Sequence, residues 1–236
     1  MRHLRLAGYV LAAAAALWLP PAAAGSFSIS PLRADLTAQV KTAALKVRNE
    51  DAVVVVVQAE TMAWSQADGQ EVLEPTGDLL VSPPLFTLQP GAEQVVRVAL
   101  RRGPDAEREL SYRLVLQEVP QKASPGFTGL NMVLRLSLPV FVASAVPATP
   151  DLTWSAHRID GKLLVRAENA GKLHARVLNF TLASAGDAFE QSVVAYVLPG
   201  QFREWALDDA GQLSGVIRLT GHTDDGDFEQ DLAVEP

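Results

Sequence analysis

The sequence predicts an all-β protein built as two β-sandwiches in tandem. Apolar residues recur at every second position in short segments along most of the chain, the period of a strand with one buried face. Gly, Pro, Asn and Asp gather between these segments at short intervals, as turns do. No stretch keeps a helical period long enough to form an amphipathic helix.

In chain order, Ser26 to Thr37 reads as a strand broken by Pro31, which places it at an edge or at a switch between sheets. Ala43 to Arg48 follows, closed by Asn49, Glu50 and Asp51. Val53 to Trp64 opens with five valines, and this β-branched density predicts a buried strand. Trp64 stands where an immunoglobulin-like sandwich keeps a central tryptophan, here without a cystine beside it. Asp68-Gly69 and Gly77-Asp78 are turns. Leu85 to Leu88, Gln94 to Leu100 and Ser111 to Val119 are strands, and a connector with Pro125, Gly126 and Gly129 leads into a long strand at Leu130 to Val142. Residues 144–150 have the small-residue and proline content of a linker. Seven more strands follow, at 153–158, 162–168, 176–183, 190–197, 201–207, 214–220 and 228–234. Turns at Asp160-Gly161, Ala170-Gly171, Ala185-Gly186, Pro199-Gly200 and Asp225-Gly226 separate them. The expected layout is therefore a leader at 1–24, one sandwich at 25–143, a linker at 144–150 and a second sandwich at 151–236.

The leader is read from two arginines in Met1 to Arg5, an apolar run from Leu6 to Leu19, and small residues ending in Ala22-x-Ala24. That run is short for a bilayer span, so a cleaved export signal is expected, with no membrane insertion by the mature chain. Cysteine is absent, so an exported chain of this kind is held together by burial alone, without thiol chemistry. Losing Arg2 and Arg5 takes the formal charge from −7 to −9, a poor balance for nucleic acid.

The stretch LNMVLRLSLPVFV, Leu130 to Val142, is the most unusual. Leu130, Met132, Leu134, Leu136, Leu138 and Val140 share one face, and the strand would run about 40 Å, over twice the common length. It is either a long core strand bent at Pro139 or a strand that outruns its sheet. In the second case its unpaired backbone and aliphatic row form a template for a strand from another chain.

Catalytic constellations are poor. His157, His174 and His222 lie far apart, and no G-x-S-x-G elbow or phosphate-cradling glycine loop is present. Thr223 to Asp227 reads as a hairpin turn, since it lacks the later glutamate of a calcium loop. No enzyme, cofactor or metal is expected.

Six strings in order resemble the PapD-like periplasmic pilus chaperones. They are Ser30-Pro31-Leu32-Arg33, Ala63-Trp64, Ser82-Pro83-Pro84, Leu88 to Ala92 running on to Val96-Arg97-Val98, Leu116 to Pro120, and the 130–142 strand. The resemblance implies two immunoglobulin-like sandwiches at an angle with a cleft between them. It also implies a periplasmic chaperone that lends its strand to pilus subunits and delivers them to an outer-membrane usher. Leu130, Met132 and Leu134 match the family's donor residues, with Leu136, Leu138 and Val140 continuing the row. Burying four to five such side chains is worth about 6–15 kcal/mol before ordering costs. Arg33 matches one of two cations that anchor a subunit's terminal carboxylate. The second is a lysine in the family, and this chain has Pro139 there; Arg97, Arg113 and Arg135 are the candidate substitutes. Arg97 is otherwise expected to pair with Glu109 or Asp224. These departures suggest a divergent, archaic branch. Self-association of the free chaperone through the same strand is left open. The alternative from another class is a secreted two-domain carbohydrate binder with an aromatic platform drawn from Trp154, Trp205, Tyr196 and Phe202.

Overall fold

The computed structural model describes residues 27–120, 133–184, 187–208, 210 and 213–235. The expected leader, Leu130, Met132 and the turn at Ala185-Gly186 lie outside the described residues. The first ten strands are β1 (Phe27–Ser30), β2 (Ala34–Leu36), β3 (Thr42–Asn49), β4 (Val55–Ala67), β5 (Gln70–Pro75), β6 (Leu79–Ser82), β7 (Leu85–Leu88), β8 (Glu93–Leu100), β9 (Leu110–Glu118) and β10 (Arg135–Val142). Seven more follow: β11 (Leu152–Ile159), β12 (Lys162–Asn169), β13 (Ala175–Ser184), β14 (Asp187–Val197), β15 (Phe202–Leu207), β16 (Val216–Thr223) and β17 (Gly226–Glu235). No helix occurs among the described residues.

In the first half, a sheet ordered β1-β3-β8-β6 packs on one ordered β2-β10-β9-β4-β5, with β7 also paired to β4. Alternation produces the core between them. Leu45 and Val47 of β3, Val96 and Val98 of β8, Val57 of β4, Leu114 and Leu116 of β9 and Val140 of β10 are all fully buried there. The chain changes sheets at Pro31, so β1 pairs with β3 while β2 joins β10. The valine run is less uniform than its composition predicts. Val55 and Val57 point into the core, whereas Val53 is 59% exposed. Strands β5 and β6 are new relative to the sequence reading. Gln70–Pro75 is a polar edge strand with no buried residue, so it leaves no alternation to detect.

The second half is a single curled sheet ordered β14-β13-β16-β17-β11-β12-β15, wrapped around its own core of Trp154, Phe180, Leu182, Ile217 and Leu219. All seven strands expected from the pattern are present, with every end within three residues of the expected one.

Both halves use the same clasp. Asn49, fully buried at the end of β3, donates through Nδ2 to the carbonyls of Val53 and Leu88 and accepts at Oδ1 from the Asp51 amide. Its backbone bonds the far side of the Pro90-Gly91 turn, at Gly91 and Ala92. Asn169, fully buried at the end of β12, repeats this with the carbonyls of Leu173 and Val197, the amides of Asp151 and Gly171, and the Pro199-Gly200 turn. One backbone solution thus closes two sandwiches whose sequences share little else locally.

Gly171 completes the second clasp. A Cβ there would stand 2.5 Å from the Asp151 nitrogen and 2.7 Å from the Pro150 carbonyl carbon, and backbone cannot yield as a side chain does. Gly171→Ala is expected to destabilise the second half by about 3 kcal/mol, measured by urea denaturation. Unchanged stability would mean that the 149–151 segment moves freely.

Candidate functional site: an open strand edge and the junction beside it

Strand β10 pairs antiparallel with β9 along its whole length, from Arg135↔Gln117 to Val142↔Leu110. On its other side it pairs only with β2, in parallel, from Val140↔Ala34 to Val142↔Leu36. Residues 135–139 therefore have one flank without a strand partner among the described residues. The Glu118 amide donates to the Leu134 carbonyl, and the Ala143 amide donates to the Leu36 carbonyl. Backbone groups alternate along a strand, so even-numbered residues face β9 and the amides of Arg135 and Ser137 face the open flank. Pro139 also faces the open flank, where its missing N–H breaks no bond to β9.

Side chains follow the same alternation. Leu134 and Leu136 are half-buried against the first core, Leu138 is 6% exposed, and Val140 is fully buried. Val140 is a correction to the expected donor row, because it sits between β2 and β9 inside its own sandwich. The opposite face of this strand carries Pro139 and Phe141, also buried. The covering layer there comes from the second half.

That layer is a small separate cluster of Trp64, Phe141 and Leu198, packed against Leu73 and Tyr196. Trp64 is not the central residue of a sandwich core, contrary to expectation. It points out of the first sandwich to meet the Tyr196 ring edge-on at 5.4 Å between centroids. His174 stacks on Phe141 at 3.8 Å. Polar bonds tie the same junction. Gln66 Nε2 donates to the Tyr196 carbonyl at 2.7 Å, the Leu198 amide donates to Gln66 Oε1 at 3.0 Å, and Glu109 Oε1 meets His174 Nδ1 at 2.6 Å.

One guanidinium group stands at the end of the open edge, and a second lies one strand further in, on β9. Arg33, immediately before β2, lies 5.4 Å from the Phe141 ring and bonds Asp35 at 2.8 Å. Arg113 on β9 stands directly opposite Pro139 in register. It is 9% exposed, lies 3.6 Å over the Trp64 ring and donates to Glu71 at 3.0 Å. Burial pulls its pKa below the ordinary arginine value, and the Glu71 carboxylate opposes this. Of the three candidate substitutes for the missing cation, Arg113 is thus the one beside Pro139. Arg135 is exposed at the start of β10.

A family model for pili and flagellar-assembly chaperones, PapD N-terminal domain, matches residues 26–146. The chain belongs to this family. It is 30% identical over 168 residues to the chaperone protein FimB/FhaD of Bordetella pertussis, covering 64% of this chain and 66% of that protein. It is 25% identical over 160 residues to the chaperone protein PapD of Escherichia coli, covering 65% and 64%. Both alignments fall just short of two thirds of the relative's length. Among solved structures, the CsuC–CsuE chaperone–tip adhesion subunit complex from archaic Csu pili of Acinetobacter baumannii matches with a TM-score of 0.69 at 21% identity. That match covers 89% of this chain and all of the matched one, which establishes the two-sandwich fold.

The pilus-chaperone strings fall at the structural joints of the fold. Ser82-Pro83-Pro84 turns β6 into β7, and Gln89-Pro90-Gly91 lies between β7 and β8 within the Asn49 clasp. The charge pairs differ from those expected. Arg97 is exposed on β8, in the sheet that lacks β10, because its neighbours Val96 and Val98 take the core side. Glu109 bonds His174, and Asp224 pairs with Arg176 at 3.7 Å, so Arg97 pairs with neither and does not border the open edge. The histidines serve separately, with His157 on Glu235 and His222 on Asp227. The aromatic platform of the alternative reading is not formed. Trp154 is 4% exposed and stacked with Trp205 and Phe228, Tyr196 is in the junction, and Phe202 lies under Arg166. Neither Gln66 nor His174 carried a sequence signal, since each is recognised only through a partner more than 60 residues away.

Proposed function

We propose that this chain is a periplasmic chaperone that stabilises pilus subunits by donor-strand complementation, a form of β-strand addition described for chaperone–pilin pairs. The reading rests chiefly on the edge of β10, open at residues 135–139 and closed from Val140 onward by β2. A guest strand lying parallel to β10 would run along the line of β2 and end at Arg33, with Arg113 across β10 from it. Its terminal carboxylate then meets cations, with Arg113 taking the place of the family's lysine. The donor side chains are Leu134, Leu136 and Leu138, continued upstream by Met132 and Leu130. Residues 1–24 act as a cleaved export signal, residues 25–143 as the chaperone domain and 151–236 as the second domain. The chaperone hands its subunit to an outer-membrane usher, where the next subunit displaces the lent strand. The missing lysine favours the archaic branch over the classical one.

Tagged chain recovered from periplasm, analysed by mass spectrometry, is expected to carry a pilus subunit one-to-one. Arg33→Gln and Arg113→Gln are each expected to lower that recovery about tenfold, the loss of one charge-assisted carboxylate contact. Equal recovery from both variants would mean that the carboxylate is held elsewhere. Glycan in place of a subunit would favour the carbohydrate-binder reading.

A further inference from the structure

The linker between the halves leaves from β10. Beside it, just before β9, the Glu109 amide donates to the Lys172 carbonyl at 2.9 Å and the Glu109 carboxylate holds His174. Contacts side by side at the root of a linker leave a hinge line about which one half can turn; a contact set off from that line fixes the angle. Gln66 is set off from it. It lies near the end of β4, two strands from β10 across β9, about 10 Å away at ordinary strand spacing. Its buried side chain bonds the Tyr196 carbonyl and the Leu198 amide. These backbone groups sit two residues apart on one flank of the end of β14, the pair a neighbouring strand would take. A primary amide has both the donor and the acceptor needed; a carboxylate lacks the donor, and an apolar chain lacks both. From the second half, Gln201 accepts the Gln66 backbone amide through Oε1. The contact continues along the β4–β5 turn onto β15, where a Cβ at Gly69 would stand 3.3 Å from Phe202 Cε2 and 3.4 Å from the Glu204 nitrogen.

Resting on the reading above, we propose that Gln66 is a positioning residue for the lent edge. It acts through Tyr196, whose ring lies 5.5 Å from Phe141 and 5.4 Å from Trp64 and so roofs β10 where its open stretch ends. With both side-chain bonds made, the second half stands at one angle and the roof at one height. Residues 135–139 are then offered to a guest strand in a cleft of fixed shape, set before any guest arrives. The clamp is an uncharged, buried amide, so salt leaves it intact. An orientation set by exposed charges would loosen as salt rises.

The chain has no cysteine, so spin labels on Ala44→Cys and Ala233→Cys, exposed on β3 and β17, report the distance between the halves by pulsed EPR. The mature full chain is expected to give one narrow distribution, the same at about 50 mM and about 1 M NaCl. Gln66→Met keeps the length and removes both side-chain bonds. It is expected to widen the distribution about twofold and to lower subunit recovery from periplasm about tenfold, with the unfolding transitions of both cores close to their places. Gln201→Met should widen the distribution less, and Gln70→Met, exposed on the same hairpin, should leave it as it was. Gln201→Met and the salt series carry the test should Gln66→Met fail to fold. A width unmoved by Gln66→Met overturns the inference, above all if the unfolding transitions fall, which would mark a purely structural residue. Broadening of the unaltered chain in high salt overturns it too, since charges would then set the angle. So does a widened distribution with full subunit recovery, which would separate the roof from the edge. The distance is read without a subunit, so the two failures stay apart: no subunit on the unaltered chain ends the reading beneath.

Discussion

Leu134→Asp is expected to leave the chain folded and exported while lowering recovery of pilus subunit at least a hundredfold. Leu134 is half-buried in the free chain, so a carboxylate there keeps access to water. In the proposed complex the same position would lie under a guest sheet, and an unpaired buried charge costs several kcal/mol. Val133, on the opposite face and 40% exposed, is the control. Val133→Asp is expected to leave recovery close to normal. Equal recovery by both variants would remove the even-numbered row from the mechanism, and equal loss would point to a general effect of charge near the edge.

The second large effect concerns stability. Asn169→Ala leaves the Leu173 and Val197 carbonyls and the Asp151 and Gly171 amides without their side-chain partner. At about 1–3 kcal/mol for each group left buried and unpaired, and with some relaxation, a loss of roughly 3–5 kcal/mol is expected. Asn49→Ala strips the Val53 and Leu88 carbonyls and the Asp51 amide in the same way. The halves have separate cores, so each variant should lower mainly its own unfolding transition. Trp154 and Trp205 report the second half by fluorescence, and Trp64 reports the junction. Two variants that leave the transitions in place would show the clasps to be incidental.

Most of the strand order was legible because each core strand carries its own alternation, as in Leu163, Val165 and Ala167 on β12. The switch at Pro31 could be read from proline's inability to continue a ladder. What was not legible has a common cause. Trp64 resembles a core tryptophan in composition, yet its side of β4 faces the second half, and local sequence does not say which face of a two-sided strand meets a distant layer. The same holds for Phe141 and His174, which stack across the junction from positions 33 residues apart. Arg113 is the sharpest example. The sequence put Pro139 where the family has lysine, and only the β9–β10 register brings Arg113 opposite it. Val140 was misassigned for a related reason: its row continues unbroken in sequence, while β2 closes the edge at that residue.

Backbone amide exchange of β10, compared between the free chain and its one-to-one complex with a recovered subunit, probes the lent edge at single residues. Arg135 and Ser137 amides, which face the open flank, are expected to exchange quickly in the free chain. In the complex they should slow by about a hundredfold or more, while the Leu136 and Leu138 amides facing β9 change little. Arg135 and Ser137 amides that exchange as fast in the complex as in the free chain would contradict the account.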